Sequence, residues 1–259
     1  MAERRKVDMA LLEARGIVRT YGSVIALDGA DFDVEAGQVT ALIGDNGAGK
    51  STLVKILSGT ENSEAGEVML DGNRVNFNNP AAARSHGIET VFQDLALCPH
   101  LDPVKNLYLN REIKRSGLLG LLGFMDRKSM RDHSVEVFTD LGSTVRKLNE
   151  PVGTMSGGQK QSVAVARSAA WASKIIFFDE PTAALGVVQT ANVLDLIRRV
   201  RDKGIGVVLI SHSMPEVLEV ADTVQVLRRG RRVATINAAD SSIEELVGAM
   251  TGKLDEEAA

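Results

Sequence analysis

A mainly parallel α/β core, with an antiparallel β side sheet and an inserted helical subdomain, is the fold this sequence predicts. Three observations predict it. Four short apolar runs lack polar alternation: Thr40–Ile43, Thr90–Phe92, Ile175–Phe178 and Val207–Ile210. Runs of this kind fit strands covered on both faces, as in a parallel sheet. Helical patterns separate the runs. Between the second and third runs, Ala96 to Met155 shows no strand pattern and is too long for a simple connection.

The elements follow in order. Ile17 to Val34 reads as strand before the first buried run. Thr52 to Ser58 reads as a short helix stopped at Gly59. Gly66 to Val75 is strand-like, with Asp71-Gly72 as a hairpin turn, so an antiparallel sheet accompanies the core. Within Ala96 to Met155 the pattern is mostly helical, as in Lys128 to Leu141. Later, Val193, Leu196, Ile197 and Val200 recur at i, i+3, i+4, i+7, and Gly204 ends that helix just past Arg201 and Lys203. Arg228–Arg232 lies between Val224–Leu227 and Val233–Ile236, and reads as a charged hairpin turn rather than a nucleic-acid patch. Gly117 to Phe124 (GLLGLLGF) fits either a partner-facing surface or the core of the subdomain. The tail from 253 to 259, with Asp255, Glu256 and Glu257, is expected to be disordered.

Composition narrows the function. The chain of 259 residues is 44% hydrophobic and 25% charged, within the range of ordinary globular proteins. A net charge of −4 offers no electrostatic reason for a nucleic-acid partner. The single Cys98 allows no internal disulfide and no Cys/His cluster suggests zinc, which fits a reducing cytosol. The GLLGLLGF stretch falls short of the roughly 20 apolar residues that span a bilayer. Arg4, Arg5 and Lys6 precede only Met9–Leu12, whereas a secretory signal needs an apolar run of about 7–15 residues. Any work at a membrane is therefore expected to depend on docking to another chain.

The chemistry-bearing residues end the apolar runs. In an open α/β sheet, ligands bind beyond the carboxyl ends of the strands. One sheet would bring Lys50, Gln93, Asp179, Glu180 and His212 to one edge. Gly44-Asp45-Asn46-Gly47-Ala48-Gly49-Lys50-Ser51 matches G-x-x-x-x-G-K-S between a strand and a helix. Its glycines let backbone N–H groups turn inward around phosphate, and the helix start, through Ser51 and Thr52, adds its positive end. Lys50 would reach the β/γ-phosphates and the Ser51 hydroxyl would ligate Mg²⁺. The fold is thus a P-loop NTPase core. Two carboxylates end the run at Ile175–Phe178. Asp179 can orient Mg²⁺ through water, and Glu180 is the better candidate for deprotonating the water that attacks the γ-phosphate. Met155-Ser156-Gly157-Gly158-Gln159 opens another helix, with Ser156 at a fitting N-cap, and fits a second phosphate-binding surface or an ordinary capped helix.

These segments together resemble the nucleotide-binding subunits of ABC transporters, whose signature Leu-Ser-Gly-Gly-Gln has Met155 in its first place here. The resemblance runs from about Gly16 to Gly252. It implies one ATP-binding domain over 11–252, with a RecA-like core at about 11–95 and 160–240 and a helical subdomain at about 96–159. It implies that Tyr21 stacks on adenine, that Gln93 contacts Mg²⁺ and the attacking water, and that His212 contacts the γ-phosphate and helps hold Glu180. It also implies a head-to-tail pair in which each ATP lies between the phosphate loop of one chain and Ser156, Gly157, Gly158 and Gln159 of the other. The partners implied are transmembrane permease subunits and, indirectly, a sugar-binding protein, on the cytoplasmic side of the membrane. Gly186 stands where many members have Asp, so the coupling role of that Asp does not carry over. Thr182–Gly186, Gly44-Asp45-Asn46 and Leu121–Asp126 look like variants from importers of monosaccharides. An exporter subunit, whose ATPase is usually fused to membrane spans, is one competing class; a soluble ATPase of this fold is the other. Its chromosome-organising members need a long coiled coil and its repair members zinc cysteines, and neither is in this sequence.

Overall fold

The computed structural model describes residues 10–143, 145 and 147–252; the expected disordered tail lies outside them. The chain begins with a long hairpin, β1 (Leu12–Tyr21) and β2 (Val24–Val34), and then enters the buried strand β3 (Val39–Ile43). Helix α1 (Lys50–Leu57) turns back along the sheet and buries Leu53, Val54, Ile56 and Leu57. The helix expected at Thr52 to Ser58 begins two residues earlier and has Ser58 as its C-cap. The hairpin β4 (Ala65–Leu70) and β5 (Asn73–Val75) turns at Asp71 and Gly72, both with positive φ (50° and 71°). That geometry matches the right-handed twist of the flanking strands. These four strands form an antiparallel sheet in the order β2-β1-β4-β5. It starts at Leu12, earlier than the expected Ile17.

Helix α2 (Pro80–Ser85), with Asn79 as N-cap and Pro80 at its first position, leads to β6 (Ile88–Val91). The helical region follows with α3 (Pro103–Leu107), the single turn α4 (Leu118–Leu121) and α5 (Arg127–Asp140). The long α6 (Gly157–Ala169) returns the chain to the core. The remaining elements are β7 (Ile175–Asp179), α7 (Val187–Asp202), β8 (Gly206–Ile210), α8 (Met214–Val220), β9 (Thr223–Arg228), β10 (Arg231–Asn237) and α9 (Ile243–Thr251). The second sheet has the order β10-β9-β3-β8-β7-β6. The five strands from β9 to β6 run parallel and β10 pairs antiparallel with β9, across the turn expected at Arg228–Arg232.

Burial explains the apolar runs. Along β7, Ile176 and Phe178 face a core built from α5, α6 and α7, while Ile175 and Phe177 face the core under α1 and the antiparallel sheet. All four are 0% exposed. A strand covered on both faces has no solvent side on which to carry polar residues. Phe92 is the exception to the expected run: β6 ends at Val91 and Phe92 lies exposed beyond it. The helical region is less separate than its sequence suggests. Leu107, Tyr108, Met130, Val137 and Phe138 join Val163, Ile176, Phe178 and Val193 in one continuous cluster. Trp171 Nε1 donates to the Leu107 carbonyl (2.9 Å), and its ring meets Tyr108 edge-on at 5.4 Å. The inserted helices therefore share the core of one sheet face.

Candidate active site

Because β3, β6, β7 and β8 are parallel, the residues that follow them emerge at one edge. The loop after β3 is shaped by glycines that no other residue could replace. A Cβ on Gly44 would overlap the Leu227 carbonyl oxygen, and one on Gly49 would sit 2.5 Å from the Ala26 carbonyl oxygen. Both glycines also hold positive φ, 152° and 105°. Ala48 is buried and its carbonyl accepts from Gly230 N (2.9 Å), so the β9–β10 turn braces the loop. Asp45, Asn46 and Gly47 form its exposed crown. Helix α1 begins with Gly49 as N-cap and no side-chain capping bond. Its first-turn N–H groups, with exposed Ser51 and half-buried Thr52 among them, are therefore available to an anion.

Lys50 Nζ donates to the carbonyls of Gly44 (2.6 Å) and Asp45 (3.1 Å), which places the ammonium over the loop. Burial pulls its pKa below the ordinary lysine value, and the charges of Glu180, Asp45 and Asp179 oppose that pull. Burial pushes the Asp179 carboxyl up, the adjacent Glu180 pushes it further, and Lys50 and Lys55 oppose. Two carboxylates and a lysine thus share one partly dry corner. Glu180 sits just past β7 with φ 47°, a left-handed conformation uncommon for a residue with this side chain. Its N–H is held by the Ile210 carbonyl (3.0 Å), which ties the β7 and β8 ends together. His212 Nδ1 lies 3.1 Å from Glu180 Oε1, and the imidazole is 71% exposed, facing open space on its other side.

Gln93 and Asp179 border one open cleft with Phe92, Asp94 and Ala96. The structure therefore brings Lys50, Gln93, Asp179, Glu180 and His212 to one edge. Among the described residues no hydrogen bond joins Ser156–Gln159 to the phosphate loop; those of Ser156 and Gln159 close their own helix start. Ser156 caps α6 in a reciprocal box, its Oγ accepting from Gln159 N (3.3 Å) and Gln159 Oε1 accepting from Ser156 N (3.1 Å). Ser156 and Gly157 are exposed, and a Cβ on Gly158 would press within 2.8 Å of Gln189 in α7. So the capped-helix reading is realised within the chain, while Ser156 and Gly157 remain exposed. Tyr21 stands at the β1–β2 turn, 41% exposed beside Val24 and Ile25. Its hydroxyl donates to Glu61, holding that carboxyl below its ordinary range, and Arg19 lies 5.0 Å from the ring centroid. Gly186 is the N-cap of α7, and the atom nearest a Cβ there is the mobile end of Gln189, at 2.7 Å.

Two supporting residues have little signature in the sequence. Arg167 of α6 donates to the carbonyls of Leu95 (2.9 Å) and Ala96 (2.6 Å), both at positive φ, so it clamps the strained turn after Gln93. Glu216, in the first turn of α8, accepts from Thr182 Oγ1 (2.5 Å), two residues past Glu180. An acidic residue in a helix's first turn is legible in sequence; its target across the fold is not.

The ABC transporter family model matches residues 27–183. The chain is 48% identical over 244 residues to the fructose import ATP-binding protein FrcA of Rhizobium meliloti, covering 93% of this chain and 94% of that one. It is 42% identical over 241 residues to the xylose/arabinose import ATP-binding protein XylG of Sulfolobus acidocaldarius, with 93% and 94% covered. Among solved structures it resembles a nucleotide-free ATP-binding cassette from an ABC transporter, with a TM-score of 0.79, 25% identity, and 97% and 99% of the two chains covered.

Proposed function

The chain belongs to the ABC transporter family as an ATP-binding, ATP-hydrolysing subunit, and on that premise we propose that it powers uptake of a simple sugar through a separate permease. The single observation that carries the catalytic part is the meeting of Lys50, Asp179, Glu180 and His212 at the carboxyl edge of one parallel sheet. In this reading the N–H groups of Gly44–Thr52 and the Lys50 ammonium hold the β/γ-phosphates. Glu180 accepts a proton from the water that attacks the γ-phosphorus as the bond to the ADP oxygen breaks. His212 donates from Nδ1 to Glu180 and keeps its carboxylate aimed. The exposed apolar edge of Tyr21, Val24 and Ile25 fits one face of a purine.

Mg²⁺ fits the same corner. Ser51, Gln93 and Asp179 offer oxygen donors, but among the described residues no group of three or more His, Cys, Asp or Glu could cage a metal. That suits an ion carried mainly by phosphate oxygens, which would neutralise charge on the transferred group. The same reading keeps one domain over 11–252, with its RecA-like core at about 11–95 and 160–240 and the helical subdomain at about 96–159.

The exposed start of α6 supports a head-to-tail pair, because among the described residues no hydrogen bond ties it to the chain's own phosphate loop. Val187 and Val188, 88% and 70% exposed at the start of α7, lie next to the Leu185 and Gln189 that pack on Gly157 and Gly158. Exposed apolar side chains there fit a surface covered by a second copy. Ser156→Arg places a cation and a bulky side chain at that surface. Placed on a chain whose own site is silenced by Glu180→Gln and mixed with equal wild-type chain, it is expected to lower hydrolysis per wild-type loop by about half relative to mixing with Glu180→Gln alone, the fraction of wild-type loops facing a Ser156→Arg partner under random pairing, as measured by phosphate release. Unchanged hydrolysis per wild-type loop would remove the pairing.

The relatives' import of fructose and of xylose or arabinose supports a sugar as cargo. No helix among the described residues is long and apolar enough to cross a membrane; in this reading the chain is a peripheral subunit on the cytoplasmic side, working with permease subunits and, through them, a sugar-binding protein. The chain expressed with a tag in its own cell is expected to co-purify from detergent-solubilised membranes with a polytopic permease. Recovery from the soluble fraction alone, with no such partner, would favour the uncoupled ATPase.

A further inference from the structure

Residues 113–126 form a small hairpin outside the catalytic edge. Arg115 N donates to the Phe124 carbonyl (2.8 Å), Asp126 N donates to the Ile113 carbonyl (2.7 Å), and Lys114 bridges Met125 between them. The tip is the single turn α4, whose inner side is Gly120: a Cβ there would overlap the Arg115 carbonyl oxygen. Only glycine allows the turn to close onto its stem, so the remaining side chains are forced outward. Leu118, Leu121, Leu122 and Phe124 are 72%, 85%, 65% and 55% exposed. From Ser116 to Met125 there is no charged residue. Lys114 and Arg115 on one strand, and Arg127 and Lys128 just after the other, flank the base, all exposed. Of the acidic neighbours, Asp126 is committed to capping α5 through Ser129 N (3.1 Å) and Ser129 Oγ (2.8 Å).

We propose that this hairpin inserts its apolar tip into the surface of an anionic lipid bilayer, with the basic residues at its base held by the headgroups. An exposed apolar end with flanking cations is the pattern of interfacial binding. The positive charge is local, since the chain as a whole is at −4. The tip projects as a knob of a few apolar side chains with cations at its base. A fluid interface needs no matching pocket. The inference stands apart from the catalytic reading: its test uses no nucleotide, and a permease enters only as a control.

The purified full chain is sedimented with vesicles of phosphatidylcholine alone or mixed with phosphatidylglycerol. Binding is expected only to the anionic vesicles and is expected to weaken with salt. Lys114→Gln with Arg115→Gln is expected to lower the partition coefficient about 25-fold, from roughly fivefold per cation. Leu121→Ser with Phe124→Ser is expected to lower it by more than about 10-fold. Leu121→Trp leaves the stem untouched and is expected to shift its emission to the blue on anionic vesicles, above the background of Trp171 in the parent. Failure of the wild type to bind protein-free anionic vesicles overturns the proposal. So does equal binding by all variants, or an unshifted tryptophan. Binding only to vesicles that also hold a permease also overturns it, and makes the knob a protein-docking surface.

Discussion

Glu180→Gln is expected to lower turnover by about 10²–10⁴-fold, the range lost when a positioned general base is removed. Glutamine has the same shape, and its carbonyl oxygen can still accept from His212, 3.1 Å away in the wild type. What it loses is the capacity to take a proton from water. The backbone at this position, with φ 47° and its N–H on the Ile210 carbonyl, makes no demand on side-chain charge. Binding of ATP should therefore persist, and the two-chain state that hydrolysis would release should accumulate. Phosphate release measures the first effect and size-exclusion chromatography with ATP the second. Near-normal hydrolysis in this variant would place the base elsewhere and leave Glu180 a structural carboxylate.

Lys50→Ala is expected to weaken ATP binding by about 10–150-fold, the equivalent of roughly 1.5–3 kcal/mol for a lost charge-assisted contact. Electrostatics in the corner push the same way. With the ammonium gone, Asp45, Asp179 and Glu180 face an incoming polyanion without the cation that offsets them. Folding should be little affected, because the ammonium's protein partners are the Gly44 and Asp45 carbonyls at the edge of an open loop. Nucleotide titration by calorimetry, beside a thermal melt, separates the two effects. Full affinity in a normally melting variant would contradict the phosphate assignment.

Much of the architecture was legible along the chain because it is written in local pattern. Three of the four apolar runs are buried strands since both faces are covered, as β7 shows by sending alternate side chains into two different cores, while the run at Thr90–Phe92 leaves its strand at Val91 and ends exposed. The Asp71-Gly72 and Arg228–Arg232 turns sit where turn chemistry puts them. The glycines of the phosphate loop were legible as a motif, but the reasons for two of them were not. Gly44 answers to the Leu227 carbonyl and Gly49 to the Ala26 carbonyl, partners far away in sequence.

The sequence by itself determined the main strands, the helices after the first and third buried runs, the phosphate loop, and the set of polar residues that end the buried strands. Each follows from short-range regularities: residue spacing, turn preference and the chemistry of single side chains. Only the tertiary structure decided which of those residues meet. It put His212 on Glu180, set Arg167 across the carbonyls of Leu95 and Ala96, and joined Glu216 to Thr182. It merged the inserted helices into the core of one sheet face, and it turned the apolar stretch 117–124 outward. Periodicity cannot separate a buried apolar turn from an exposed one when both lack polar residues. The neighbour that decides is the Arg115 carbonyl packed against Gly120, a contact created by the hairpin's own closure.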